Sequence, residues 1–335
     1  MLIIYLVRPH SPGTPEISQA PPSPLTDYPR TPSPTLGSPA PAELSPSLSQ
    51  FYSFLKAAFD IADEGSIIHT KTQEKISKNR DFYLPFRQLA PSKQIILDNP
   101  QGPFSPTKLQ TREGFFDALI FRLITQASPI LLQERHVCFG SPSGFYQITS
   151  GKAQRYYCNP IATGQHNRLS NIPHIAEYWE HAVDWNNLLK RPEVTLQSLM
   201  EWLVGNRGNR KRFFGMGNLV GWLLASDYAF AGLVSMPEVS EVGKIIFRIN
   251  AGSKGGLGLL GFDVGSPEAC AESLSNLWDS IQTHFKPAEI QAMGLNSVVL
   301  EHALCKFQRL HKVIKLVCDK CGFLFKQGSD VLCSF

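Results

Sequence analysis

From residue 51 onward, large apolar residues recur at three- and four-residue spacing, which is the period of an amphipathic helix. Phe51, Phe54, Leu55 and Phe59 begin this pattern, and segments rich in glycine and proline interrupt it further along the chain. The spacing therefore predicts long helices joined by short turns. The predicted helices cover residues 50–62, 113–127, 175–189, 196–204, 219–230, 267–284 and 298–316.

Strand signals are few by comparison. Short runs of β-branched and aromatic residues predict strands only at 137–139, 145–148 and 245–249. No internal repeat is visible. Because predicted helices far outnumber predicted strands, the sequence indicates a mostly α fold with a few short strands, forming a single helical domain over residues 50–335.

The first 49 residues differ in composition from the rest of the chain. Twelve of the 25 prolines lie within the first 50 residues, among serine, threonine and alanine. Such a segment cannot bury enough apolar surface to offset chain entropy, so residues 1–49 are predicted to be a disordered tail. Its Ser-Pro and Thr-Pro pairs fit proline-directed phosphorylation or, as we favour, a polyproline II linker of biased composition. The serines and threonines that precede proline are Ser11, Thr14, Ser23, Thr31, Ser33, Ser38 and Ser45.

Composition also excludes several protein classes. No apolar run reaches the ~20 residues that cross a bilayer, and the apolar start at residues 2–7 is too short for a signal peptide. Seven cysteines are too few for a disulfide scaffold, and the 25 glycines show no period. We expect a soluble protein without membrane contact, located in the cytoplasm or the nucleus. Its 32 basic residues against 28 acidic ones are compatible with a polyanionic partner.

A basic turn followed by a Gly-x-Gly segment precedes the predicted helix at 219–230. The glycines allow close approach of a backbone, and the helix start at Asn218 offers N–H groups to a phosphate. This pattern predicts a helix-hairpin-helix element that binds a nucleic-acid backbone, although a solvated charged turn has the same appearance. Asp227 falls near the unfavourable, C-terminal end of that helix, which makes it a candidate catalytic carboxylate. The candidate DNA-binding residues are Arg207, Arg210, Lys211, Arg212, Gly215 and Gly217.

A glycine-rich segment with one lysine follows the strand predicted at 245–249. In a loop, successive N–H groups there would face an anion and Lys254 would add charge, whereas the alternative is a flexible connection. The glycine spacing matches neither a Walker A loop nor a dinucleotide fingerprint, so no cofactor is expected. The candidate phosphate-binding residues of this segment are Gly252, Ser253, Gly255 and Gly256.

The helix predicted at 298–316 carries an acid–imidazole pair, Glu301 and His302. Such a pair suits general acid–base catalysis near neutral pH, although two solvated polar residues on an amphipathic helix give the same pattern. Four cysteines near this end fit structural zinc less well than reduced, buried thiols, so no metal site is predicted. They are Cys305, Cys318, Cys321 and Cys333.

In this order, the three segments resemble the α-glutamyl/putrinyl thymine pyrophosphorylase family and the helical domain found with 5-hydroxymethyluracil DNA kinases. The matching residues are Gly215-x-Gly217 with Ala225-x-Asp227-Tyr228, then Ala251-Gly252-Ser253-Lys254-x-Gly256-Leu257, then Glu301-His302-Ala303-Leu304-Cys305-x-Phe307. The resemblance is best over 211–316 and weaker at 115–122, where Arg122 could match an arginine of the family. The chain resembles a divergent member.

The resemblance implies a fold like that of helix-hairpin-helix DNA glycosylases and a role in DNA hypermodification. The implied reaction displaces pyrophosphate from a 5-(pyrophosphoryloxymethyl)uracil base in DNA, with an amino-acid or polyamine nitrogen as nucleophile. Lys254 and its neighbouring N–H groups are candidates to stabilise the leaving group. Asp227, Glu301 or His302 would act as the base.

Other assignments follow from the same chemistry and stay open. Arg122 would pair either with a phosphate or with a buried carboxylate such as Asp227. Trp222, Tyr228 and Phe247 are candidates for the walls of a pocket for a flipped base, although core packing is the commoner fate of such residues.

Two other functions use the same scaffold. A DNA glycosylase would pair Asp227 with Lys211 or Lys254, although the spacing from Gly217 to Asp227 is short for that class. A chain whose catalytic residues have decayed would still bind DNA through the basic turn.

Overall fold

The computed structural model describes residues 45–62, 66–100, 102–160, 168–191 and 194–321. The predicted disordered tail lies outside these residues except for its last five positions, and Cys333 lies outside them as well. Within this part of the chain the fold is mostly α-helical, as predicted. No helix there is long and apolar enough to cross a bilayer.

The helices are α1 Pro46–Asp60, α2 Lys71–Lys78, α3 Arg80–Tyr83, α4 Pro91–Leu97, α5 Pro106–Leu109, α6 Arg112–Ile120, α7 Pro129–Leu132, α8 Pro142–Thr149, α9 Gln154–Tyr157, α10 Ile175–Ala182, α11 Trp185–Leu189, α12 Leu196–Val204, α13 Asn218–Phe230, α14 Val239–Ile249, α15 Gly252–Leu259, α16 Pro267–His284, α17 Pro287–Ala292 and α18 Ser297–Cys321. Arg87–Leu89 and Arg168–His174 form 3₁₀ turns, and Phe121–Thr125 forms a π-helical turn directly after α6. Strands β1 Asn206–Arg207 and β2 Arg210–Lys211 pair antiparallel as a hairpin.

The predicted strands are wrong. Residues 137–139 form no regular element, 145–148 lie in α8, and 245–249 form the second half of α14. Helix α8 begins at Pro142, where the Ser141 side chain accepts a hydrogen bond from the Gly144 N–H and so caps the helix. In α14 the β-branched run has helical spacing, because Val242, Ile245 and Ile246 are all buried.

The predicted helices occur with altered boundaries. Helix α1 begins at Pro46, within the predicted tail, because the Ser45 side chain accepts a hydrogen bond from the Leu48 N–H and caps the helix. The Ser45–Pro46 pair is thus a helix start. The helix predicted at 175–189 is divided into α10 and α11. Several short helices, including α2, α4 and α15, have no predicted counterpart.

Aromatic and aliphatic side chains from both halves of the described chain form one core. Phe51 of α1 contacts Phe307 of α18 edge to face, with ring centres 5.3 Å apart. Phe115 of α6 stacks on Trp185 of α11, with ring centres 4.3 Å apart. Trp222, near the middle of α13, is fully buried. This packing fixes α6, α13 and α18 relative to one another, and these are the helices that carry the candidate site.

Helices α14 and α16 cross at close range because Gly243 has no side chain. A Cβ atom at this position would lie 2.4 Å from the Ala271 Cα and 2.6 Å from the Cys270 carbonyl oxygen. Both obstacles are backbone atoms of α16, so the helices themselves would have to move apart.

We predict that Gly243→Ala lowers the free energy of unfolding by about 1–3 kcal/mol, the usual cost of overpacking a close helix contact. Gly258→Ala is the matched control, since a Cβ there would lie 3.7 Å from Val264 in ordinary contact and the site is exposed. The control should stabilise the protein by up to about 1 kcal/mol, because alanine favours helix. Denaturant unfolding measures both variants, and equal effects would contradict the close approach of α14 and α16.

Candidate functional site

The carboxylate of Asp227 is buried and paired with three basic side chains. Arg122 donates from Nε to Oδ2 at 2.7 Å and from Nη2 to Oδ1 at 2.7 Å. Arg87 Nη2 and Lys93 Nζ donate to Oδ1 at 2.8 and 2.9 Å. All four side chains are at most 5% exposed. One buried negative charge therefore faces three basic groups.

Four separate elements bring these residues together. Asp227 lies on α13, Arg87 on the 3₁₀ turn Arg87–Leu89, and Lys93 in the first turn of α4. Arg87 also donates to the Leu223 carbonyl oxygen, one helical turn before Asp227 on α13. Helix α4 begins with Pro91 at its first position, which fixes where Lys93 lies along the helix.

Arg122 reaches Asp227 from a π-helical turn. The Gln126 N–H donates to the Phe121 carbonyl oxygen at 3.0 Å, a bond that spans five residues instead of four. Arg168 Nη2 donates to the Arg122 carbonyl oxygen at 2.6 Å, so the backbone of this turn has a polar partner. π-helical turns of this kind occur often at functional sites.

The surrounding charges control protonation in the cluster. Burial by itself would raise the pKa of Asp227, but Arg122, Arg87 and Lys93 together hold that pKa well below its usual range. Burial lowers the pKa of Lys93 to about 7. The attraction of Asp227 does not offset this effect, because Arg122 and Arg87 repel the Lys93 ammonium. Asp227 is therefore ionised at neutral pH and would be a poor base, whereas Lys93 loses its proton more readily than an exposed lysine does.

A narrow pocket opens beside this cluster, and basic side chains dominate its charged groups. Asp81 is the acidic residue of its lining, and its carboxylate already accepts hydrogen bonds from the Ser92 N–H and hydroxyl. The basic lining therefore exceeds the acidic lining, which suits an oxyanion. The polar lining residues are Asp81, Arg87, Ser92, Lys93, Arg122, Gln126, His302 and Lys306.

Helix α18 contributes His302 and Lys306 to the pocket. His302 Nδ1 lies 2.9 Å from the Pro85 carbonyl oxygen, which assigns the ring hydrogen to that nitrogen. Burial holds the pKa of His302 well below its usual value, so the ring is neutral at pH 7. Lys306 Nζ donates to the Asp81 and Phe82 carbonyl oxygens at 3.0 and 2.9 Å, and burial lowers its pKa to about 7.

A second pocket lies on the other side of Lys93 and is mostly apolar. Its lining consists of Gln88, Lys93, Leu97, Phe104, Asp227, Phe230 and Ala231. The Lys93 Nζ atom lies 3.3 Å from the centre of the Phe104 ring. An apolar pocket with an amide and a charged pair at its edge suits a planar ring that bears polar groups.

The structure thus brings together part of the predicted site. Arg122 and His302 line the first pocket, whereas Asp227 lines the second. Arg122 pairs with Asp227, which is one of its two predicted partners. Glu301 is buried outside both pockets, where it accepts a hydrogen bond from Trp222 Nε1 at 2.9 Å. Burial raises the pKa of Glu301, and the bond from Trp222 partly offsets that effect.

The predicted lysine-bearing loop is wrong. Residues 252–259 form α15, and its glycines allow this helix to pack against α18. A Cβ at Gly252 would lie 2.6 Å from the Cys305 Sγ, and Gly255 and Gly256 face Gln308 and the Leu304 carbonyl in the same way. Ser253 is buried in this contact, and Lys254 lies over the Phe247 ring at 4.1 Å. Neither Lys254 nor these glycines line the two pockets described above.

The basic turn is the β1–β2 hairpin, and it lies on the surface. Arg207, Arg210 and Lys211 are exposed, while Arg207 and Arg212 lie 3.8 and 3.7 Å from Asp184. Lys211 Nζ donates to the Val204 carbonyl oxygen. The positive φ of Gly215 reverses the chain, and Gly217 then caps α13, which begins at the predicted Asn218. None of these residues lines either pocket described above.

The remaining predicted residues either pack in the core or lie outside the described part of the chain. Trp222 and Tyr228 are core residues, as favoured, and the Tyr228 hydroxyl donates to the Leu109 carbonyl oxygen. Cys305 is half-buried. The side chains of Cys318 and Cys321 lie outside the described part, and within that part no group of three metal-binding side chains occurs.

Two basic residues of the site, Arg87 and Lys93, lie outside the three motifs, and Lys306 lies within the third motif without an assigned role. Arg87 and Lys93 lie in short helical segments without an apolar period, although the Ala90-Pro91 start of α4 is a helix signal. Lys306 lies one turn after His302 on the same helix, so the 3.6-residue period could have placed both on one face.

We predict that Asp227→Asn lowers the free energy of unfolding by about 3–5 kcal/mol, because it leaves three buried basic groups without their counter-charge. Asp279→Asn on the exposed face of α16 is the control and should change it by less than about 0.5 kcal/mol. Denaturant unfolding at pH 7 measures both. A loss below 1 kcal/mol for Asp227→Asn would contradict the counter-ion role.

The chain was also compared with known proteins. No family model, no curated protein and no solved structure in these comparisons matches the chain significantly.

Proposed function

We propose that this chain is a transferase that displaces pyrophosphate from a 5-(pyrophosphoryloxymethyl)uracil base in DNA, with an amino-acid or polyamine nitrogen as nucleophile. The observation that supports this function best is the excess of basic groups around Asp227 at the first pocket. Negative charge grows on the departing pyrophosphate in the transition state, and fixed buried cations stabilise such charge more strongly than water does.

In this proposal the anion contacts differ from those that the sequence indicates. Arg87, Arg122 and Lys306 take the place of Lys254 and its glycines, because they line the pocket and Lys254 does not. The positive charge of the two guanidinium groups attracts phosphate oxygens, and their bonds to Asp227 hold them at the pocket wall. A bound pyrophosphate would also raise the pKa of Lys306, since it adds negative charge beside that group.

The second pocket is our candidate for the flipped base. Phe104, Phe230 and Leu97 offer apolar surface to a pyrimidine ring, and Gln88 offers an amide for its polar edge. Because Lys93 lines both pockets, a methylene carbon attached to that ring would lie close to the anion site.

The exposed hairpin is our candidate contact for the DNA backbone. Arg207, Arg210 and Lys211 project from β1 and β2 immediately before α13, the helix that carries Asp227. Phosphate contacts of this kind position a duplex without reading its sequence.

A DNA glycosylase with lyase activity is the second candidate, and one contact favours it. Lys93 Nζ lies 2.9 Å from Asp227, and a buried amine with its pKa lowered to about 7 can form an imine with a sugar carbon. Lys93 would then take the role assigned from the sequence to Lys211 or Lys254.

We expect the protein, supplied with an amino acid or polyamine, to release pyrophosphate from an oligonucleotide that carries the modified base and to leave an intact strand whose nucleotide carries the amine in place of pyrophosphate. Arg122→Lys should slow this reaction at least about 100-fold, because it removes a guanidinium group that lines the anion pocket and is held there by Asp227. Arg248→Lys, in an exposed ion pair with Glu201, is the control. Mass spectrometry of the nucleosides and a pyrophosphate assay give the readout.

The same assay separates the candidate functions. An abasic site, free base and a borohydride-trapped adduct at Lys93 would contradict the transferase and support the glycosylase. DNA binding without any product would instead indicate that only the binding function remains.

Replacing Arg210 and Lys211 together by glutamine should weaken duplex binding and reduce the slope of log K against log salt by up to about 2. The matched control replaces Lys56 and Lys78, two exposed lysines of α1 and α2, by glutamine. Fluorescence anisotropy at several salt concentrations measures both variants, after melting curves confirm that they are folded. An unchanged slope for the hairpin variant would place the DNA contact elsewhere.

A further inference from the structure

Lys93 occupies a position that no other described residue shares, since it lines both the basic pocket and the apolar pocket. It lies in the first turn of α4 and is 4% exposed. Its Nζ atom is 2.9 Å from Asp227 Oδ1 and 3.3 Å from the centre of the Phe104 ring. The amine is thus fixed between the two spaces in which a leaving anion and a planar base would lie.

We propose that Lys93 is the general base of the transferase, the group that takes the proton from the attacking amine. This assignment rests on the proposed transferase function and adds a catalytic residue to it. The neutral amine nitrogen attacks the methylene carbon, so that a C–N bond forms. The C–O bond to pyrophosphate breaks, and its electron pair leaves with the pyrophosphate. The surplus proton on nitrogen passes to Lys93 Nζ, and the resulting ammonium lies beside the Asp227 carboxylate.

The charges around Lys93 support this role. Two guanidinium groups, those of Arg87 and Arg122, compete with the Lys93 ammonium for the single carboxylate of Asp227. Burial and this competition lower the pKa of Lys93 to about 7, so a neutral amine is available near physiological pH. The charged and titratable groups that face Lys93 or share its pocket are Asp81, Arg87, Arg122, Asp227, His302 and Lys306.

The other candidate bases fit less well. Asp227 accepts hydrogen bonds from three basic groups, which hold its pKa far below neutrality. Glu301 lies outside both pockets and bonds to Trp222. His302 lines only the basic pocket, and burial holds its pKa well below the usual value of an imidazole, which makes it a weaker base.

The decisive variant is Lys93→Arg, which keeps a positive charge beside Asp227 and stays protonated through neutral pH. We expect its turnover to fall 10²- to 10⁴-fold, the usual contribution of a general base. The rise of the wild-type rate through pH 7 should disappear, while the affinity for inorganic pyrophosphate should change less than threefold. A merely structural lysine would alter stability and pyrophosphate affinity and leave the shape of the pH profile intact. Lys93→Gln replaces this variant if melting curves show that arginine prevents folding.

A second measurement needs no turnover. In protein labelled with ¹³C- and ¹⁵N-lysine and without substrate, the Lys93 side-chain signal, assigned by its loss in Lys93→Gln, should titrate near pH 7. The side-chain signal of Lys78, exposed on α2, serves as the internal reference. A Lys93 signal that stays protonated to pH 9.5 would overturn the proposal.

The two proposals fail in different ways. A wild-type chain that binds pyrophosphate but forms no adduct contradicts the transferase reaction, and the role of Lys93 in that reaction falls with it. A Lys93→Arg variant with wild-type turnover and pH profile contradicts only the role of Lys93 and leaves the transferase reaction in place.

Discussion

Burial of the Asp227 carboxylate among three basic side chains is the constraint on which the site depends. Removing ions from water costs several kcal/mol for each ion, and only close, well-aligned partners offset that cost. Arg87, Lys93 and Arg122 provide them from three separate elements at 2.7–2.9 Å. Displacement of any of these elements would leave charge unpaired in the core. The carboxylate thus fixes α13 relative to three short elements, which are α4, the Arg87–Leu89 turn and the π-helical turn.

The cluster contains more positive than negative groups, and this excess has a consequence for anion binding. A cluster with matched charges would be neutral and would have no affinity for a further anion. Here one carboxylate serves three basic groups, and Lys306 adds a fourth basic side chain to the pocket lining. Burial lowers the pKa values of Lys93 and Lys306 to about 7, and loss of a proton from either lysine would reduce the cost of this imbalance. A bound anion would restore the missing negative charge.

The helical class follows from sequence because a long amphipathic face has a clear period. The pattern at 196–204 and 219–230 therefore gave helices that differ by at most one residue from α12 and α13. Predictions failed where the same residue type is typical of two different structures. The β-branched run at 245–249 fills a helix face, and the glycines of α15 allow close packing instead of forming an anion loop. Asp227, Arg122 and His302 were accessible from motifs, but Lys93 and Arg87 depend on tertiary contacts between short segments.

Helix α13 connects the exposed hairpin with the buried site. It begins at Asn218, directly after the Gly215–Gly217 turn, and Asp227 follows nine residues later, about 14 Å along the axis. Trp222 lies between them and bonds to Glu301 of α18, which also carries His302 and Lys306. One well-packed helix therefore fixes the distance between the hairpin and the Asp227 cluster.

The number of residues in the π-helical turn determines the direction in which the Arg122 side chain points. The bond from the Gln126 N–H to the Phe121 carbonyl accommodates one residue more than a regular α-helix would. Loss of a single codon in this stretch would restore the regular helix and rotate its two ends relative to each other by about 100°. The Arg122 guanidinium would then point away from Asp227, although every residue of the cluster would still be encoded. Insertions and deletions in this turn would thus be selected against more strongly than many substitutions.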